Sequence, residues 1–69
     1  MTGMIPLGRQ IAAVRAEIVM RQRVYARFVR DKRMSQERSD TMIAEMEAVL
    51  ATLLELDRMR RENIQPTLL

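Results

Sequence analysis

Between Arg9 and Gln65 the chain contains neither Gly nor Pro; Gly3, Pro6 and Gly8 come before that stretch and Pro66 after it. With residues set about 100° apart on a helical wheel, Leu7, Ile11, Val14, Ile18, Tyr25 and Val29 collect into one narrow apolar stripe, which predicts a first helix over 9–32. The stripe breaks once, at Arg21 and Gln22. Their long stems are expected to flank the core while their polar heads reach water. A second stripe of Ala13, Met20, Val24 and Phe28 lies to one side.

The pattern loses phase after Asp31. Ser35 is a good N-cap, followed by Glu37 in a first turn where a carboxylate meets the positive end of the helix dipole. A turn over 33–35 and a second helix over 36–62 follow, the latter stopped by the approach to Pro66. No Gly is available for a left-handed helix end at Lys32-Arg33-Met34, so the geometry of this turn is left open. Segments 1–8 and 64–69 read as flexible tails around a single domain over 9–63.

The second helix has two adjacent seams. Ile43, Met46, Leu50 and Leu53, with Leu54 beside them, alternate three and four residues apart; Met42, Val49 and Leu56 repeat every seven. Together they span nearly half the wheel, more than the roughly 100° that one partner helix covers. The expected architecture is therefore all-α: a two-helix antiparallel hairpin that dimerises into a four-helix arrangement. Its core and dimer contacts are expected from Ile18, Tyr25, Met42, Ile43, Met46, Val49, Leu50, Leu53 and Leu56.

Length points the same way. A chain of 69 residues buries little surface and is usually stabilised by disulfides, a metal or oligomerisation. With no Cys and no His, neither a disulfide nor a zinc site is expected, and a second copy is the remaining device. The charges divide between the halves: residues 1–38 carry nine Lys/Arg against three Asp/Glu, residues 39–69 three against six. Opposite signs favour antiparallel pairing, although exposed ion pairs are each worth under about 1 kcal/mol.

The same composition argues against catalysis. General acid–base chemistry near neutral pH usually recruits His, and Ser35, Ser39 and Thr41 have no base to activate them. Glu45 with Glu47, and Glu55 with Asp57, stand two apart on a helix and do not face each other. The reading is a non-enzyme without cofactor or metal. The start of the chain lacks a basic region followed by an apolar run, and no segment approaches the ~20 apolar residues of a membrane span, so a cytoplasmic location is expected.

Arg9, Arg15, Arg23, Arg27 and Arg30 lie away from the first helix's main stripe and could track phosphates. With one Tyr and one Phe there is no aromatic platform for stacking bases. Met34-Ser35-Gln36-Glu37 resembles the opening of the second helix in repressor-type helix-turn-helix domains, but the apolar pattern then runs unbroken through Leu56 where a turn and a recognition helix should follow. A small basic DNA-binding protein is thus the alternative reading, with sequence-specific recognition not expected. Lying on a membrane is opposed by the acidic second helix.

Seven Met residues favour adaptable protein-binding surfaces. The expected partner site is the turn end with the side stripe of the first helix: Phe28, flanked by Val24, Arg27, Arg30 and Arg33, since aromatic and Arg residues often dominate interface energetics. The competing reading has Phe28 closing the end of the bundle core.

The segments Arg23-Val24-Tyr25-Ala26-Arg27-Phe28-Val29, Arg33-Met34-Ser35-Gln36 and Ile43-Ala44-Glu45-Met46-Glu47-Ala48-Val49-Leu50, in that order, resemble a family of very small helical proteins of temperate phages and prophages of proteobacteria. The similarity covers about residues 9–56. One branch consists of phage anti-activators that bind a LuxR-type quorum-sensing regulator of the host and also its pilus-assembly ATPase. The resemblance implies a host-takeover inhibitor acting in the bacterial cytoplasm, with those two proteins as partners. Relatives carry Pro after the Val-Tyr pair and Gly in the turn; Ala26 and Asp31-Lys32-Arg33 stand here instead, which implies a differently shaped turn.

Overall fold

The computed structural model describes residues 5–64. They form two helices, α1 (Leu7–Arg30) and α2 (Gln36–Ile64), packed together as a hairpin, with no strand among the described residues. The expected two-helix all-α architecture is present. Residues 1–4 and 65–69 of the two expected tails lie outside the described residues.

α1 starts two residues earlier than the pattern predicts. Pro6, at φ −58° and ψ 147°, occupies the N-cap position, and its carbonyl accepts from the backbone N–H of Arg9 (3.0 Å) and Gln10 (3.1 Å). The Gln10 side chain adds a bond from Nε2 to the Ile5 carbonyl (2.8 Å). Gly8 read as punctuation, yet in a first turn its missing side chain costs little, and helix formation there brings Leu7 into the core. Residues 7 and 8 therefore belong to the domain and not to a tail.

The other end of α1 also comes early, at Arg30. The Lys32 N–H bonds the Val29 carbonyl (3.0 Å) and the Arg33 N–H bonds the Phe28 carbonyl (2.8 Å), while Lys32 itself sits at φ 62°. This is a Schellman ending, in which a left-handed residue lets two backward bonds satisfy the last carbonyls. Lys takes the position usually given to Gly, at a cost of roughly 1–2 kcal/mol from Cβ crowding. The hydrophobic contact that normally accompanies the motif is replaced by the Arg33 guanidinium, 5.9 Å from the centroid of the Phe28 ring.

Ser35 caps α2 as its sequence position predicts: its Oγ accepts from the Arg38 N–H at 3.0 Å. The turn occupies residues 31–35, beginning two residues before the predicted 33–35. α2 extends two residues past the expected 62.

Alternating steps of four and three carry the α1 seam through Leu7, Ile11, Val14, Ile18, Arg21, Tyr25 and Phe28. The α2 seam runs through Ser39, Ile43, Met46, Leu50, Leu53 and Asp57. Leu7, Ile11 and Ile18 are buried, and the other apolar members are half-buried. Ser39, at 4% exposure, is the most deeply buried polar residue among the described residues.

Arg21 departs from expectation. Its head does not simply reach water: Nε bonds Glu17 (2.8 Å), Nη1 donates to the Met42 carbonyl on α2 (2.9 Å), and the guanidinium lies 5.9 Å from the Tyr25 ring centroid. The break in the apolar stripe is thus a polar tie between the helices. A carbonyl has two lone pairs, so the Met42 oxygen accepts this bond beside its helical one. Gln22 is exposed, as expected.

Candidate protein-binding surfaces

Two surfaces of the hairpin have the composition of a binding site. The first is the turn end. Arg27, Arg30 and Arg33 are exposed, while Val24 and Phe28 are half-buried. The Phe28 ring stacks on Tyr25 with centroids 6.4 Å apart and planes 23° from parallel. Phe28 therefore sits at the margin of the core, held from one residue by Tyr25 and from another by Arg33. The structure brings all five predicted partner-site residues to this end of the molecule, with Phe28 in the continuation of the α1 seam and not on a separate stripe.

The second surface runs along the hairpin. The residues expected to form core and dimer contacts divide into two sets. Ile18 is buried, and Tyr25, Met42, Ile43, Met46, Leu50 and Leu53 are half-buried; Val49 and Leu56 are exposed, at 39% and 42%. Met20 on α1 is 44% exposed. Val19, Leu54 and Met59 are open as well. Shallow depressions are lined by Arg15, Ile18, Val19 and Leu50, and by Ala51, Thr52, Glu55, Leu56 and Met59.

Charges are handled differently on the two helices. On α2, Arg58 bridges Glu55 and Glu62, and Arg61 pairs with Asp57 at 2.7 Å. The bond from Arg58 holds the Glu55 carboxyl below its ordinary pKa, because the ionised form is the one the guanidinium binds. That makes Glu55 a weaker base, the opposite of what proton abstraction needs. On α1, Glu17 pairs with Arg21, and Arg9, Arg15, Arg23 and Arg27 have no ion-pair partner among the described residues. The outer side of α1 is a row of exposed, uncompensated guanidiniums. Arg30 approaches Asp31 only at 3.9 Å, in solvent.

Among the described residues there is no cluster of three potential metal ligands, and no helix is long and apolar enough to cross a membrane. Comparison with protein-family models, with curated proteins and with solved structures finds no match.

Ser39 and Arg21 are the positions that sequence reasoning missed. Ser39 could have been found by extending the four-three spacing of Ile43, Met46 and Leu50 back by one step. Arg21 occupies the vacant step in the α1 seam, and that vacancy was its signal.

Proposed function

We propose that this chain is a small protein-binding inhibitor, an anti-activator that works by covering a surface on a regulatory protein. In the setting that the family resemblance implies, the protein is made by a phage in the bacterial cytoplasm, and its targets are a LuxR-type quorum-sensing regulator and the pilus-assembly ATPase. The observation that carries the reading is the turn end: an aromatic ring half-exposed between Tyr25 and Arg33, with Arg27 and Arg30 open beside it. Aromatic and Arg side chains are enriched at protein interfaces, and a half-exposed ring beside open arginines brings both together.

The test uses a purified LuxR-type regulator bound to its operator DNA. Adding the chain is expected to release the regulator from DNA, and Phe28→Ala is expected to weaken that release at least tenfold while the helical circular dichroism is retained. Unchanged operator occupancy at saturating chain would refute inhibition of such a regulator. A second reading rests on the arginine row of α1, which suits a phosphate backbone. Duplex binding by the chain alone that survives physiological salt and selects among sequences would favour it.

A further inference from the structure

The side stripes of the two helices come out on one face of the hairpin. On α1, Ala13, Met20 and Val24 are displaced from the seam toward lower wheel angles; on α2, Met42, Val49 and Leu56 are displaced in the same sense. A right-handed helix turns clockwise as it recedes from its N-terminus, and the helices run in opposite directions. Equal displacements on the two helices therefore emerge on the same broad face. Two observations agree: Arg21, on the lower-angle side of α1, reaches the carbonyl of Met42, and the higher-angle residues Arg15, Ile18, Val19 and Leu50 share a depression on the opposite face.

The face with Met20, Val24, Met42, Val49 and Leu56 has the larger set of apolar residues, crossed by the Glu17–Arg21 pair and by Glu45. The opposite face has Val19 and Leu54 interrupted by Arg15, Gln22 and Glu47. The geometry points to a second copy of this chain as the occupant of the first face, with each α1 lying over the partner's α2 and both turns at the same end of the resulting four-helix bundle. Core area argues for a second copy: no side chain among the described residues is completely buried, and only three apolar ones are buried at all. Small helical domains of this size reach stability by adding a facing layer.

Charge selects the crossing. α1 carries six Arg and one Glu, α2 seven Asp/Glu and four Arg. Two two-fold arrangements bring the apolar faces together with all neighbouring helices antiparallel. With the axis along the helices, every neighbouring pair is one basic and one acidic helix, and the turns meet at one end. With the axis across them, α1 lies on the partner's α1, basic against basic along its length, and the acidic first half of α2 lies on the charge-balanced second half of the partner's α2 instead of on a basic helix. Facing charges bias such choices even where single pairs contribute little. The basic tips that meet in the first arrangement are exposed, so salt screens their repulsion within about 10 Å.

The chain has no cysteine, so Gln36→Cys at the exposed start of α2 places one spin label per copy at the turn end. Pulsed dipolar spectroscopy of the full-length chain then reads the separation. Turns at the same end give roughly 20–30 Å; turns at opposite ends are offset by the helix length and give over about 40 Å, from 1.5 Å per residue. The short distance is expected. The long distance overturns the crossing, and the absence of any dipolar signal from folded protein overturns the second copy. The measurement uses the chain alone, so its result is independent of whether a regulatory protein is the target.

Discussion

The two helices solve the same packing problem differently. α1 has a narrow stripe and buries Leu7, Ile11 and Ile18 against α2, leaving its arginines open on the outside. α2 has a stripe nearly twice as wide, buries no apolar side chain to the same degree, and pairs Glu55, Asp57 and Glu62 with Arg58 and Arg61 near its C-terminal end. For α1 a single neighbour covers the main stripe and leaves Met20 44% exposed. For α2 it covers one seam and leaves Val49 and Leu56 in solvent. One neighbouring helix covers a stripe of roughly 100°, so the apolar positions beyond that width stay exposed in the hairpin.

The largest effect is expected where the narrow stripe is buried. Ile18→Asp puts an unpaired carboxylate into the most enclosed apolar position and should abolish the cooperative melting transition, costing several kcal/mol from a stability typically of about 5–15 kcal/mol. Thermal denaturation followed by circular dichroism checks it; a near-native melting temperature would show that the hairpin seam is not the core.

Val49→Asp probes the wide stripe. In an isolated hairpin a 39% exposed Val tolerates a charge with a loss of less than about 1 kcal/mol. If the face is covered by a second copy, wild-type stability falls on dilution, and Val49→Asp disrupts association and lowers stability by well over that amount at every concentration. Melting curves of wild type and variant across a hundredfold dilution separate the two outcomes.

The turn that joins the helices offers a smaller pair of opposite effects. Ser35→Ala removes the acceptor for the Arg38 N–H and is expected to cost about 1 kcal/mol. Lys32→Gly relieves the Cβ crowding at φ 62° and is expected to stabilise by up to about 1 kcal/mol, after the greater freedom of Gly in the unfolded chain is counted. Chemical denaturation of both variants is the check, and destabilisation by Lys32→Gly would contradict the left-handed ending.

The smallest effect concerns pH. The Glu55 carboxyl has its pKa lowered by Arg58, so the stabilisation from this pair is present above the ordinary Glu range and is lost as pH falls through the lowered value. The group lies in solvent, and the change in stability is correspondingly slight. An NMR titration is expected to place Glu55 below an ordinary Glu and to return it upward in Arg58→Gln. No change between the two proteins would remove the pair.

Much of the hairpin was legible from periodicity alone, because Ile11, Val14, Ile18 and Tyr25, with one break at Arg21, and then Ile43, Met46, Leu50 and Leu53 repeat at helical spacing. The Ser35 cap was legible because its side chain acts locally. The missed features depend on partners distant in sequence or on backbone strain. Arg21 finds the Met42 carbonyl only after the hairpin closes, and Ser39 is buried because a facing helix covers it. Lys32 holds a left-handed φ alongside the two backward bonds, from its own N–H to the Val29 carbonyl and from the Arg33 N–H to the Phe28 carbonyl. At the candidate site, the residue types at the turn end were legible. The stacking of Phe28 on Tyr25 was not, since the wheel sets Phe28 in the side stripe with Val24 while the structure continues the seam through it.

The most direct test of the account is sedimentation of the full-length chain at micromolar concentration, with helical content measured on the same sample. If the wide stripe of α2 requires more than its own hairpin supplies, the folded species has the mass of two chains, and dilution removes association and helix together. A well-folded species with the mass of one chain, unchanged on dilution, would contradict it.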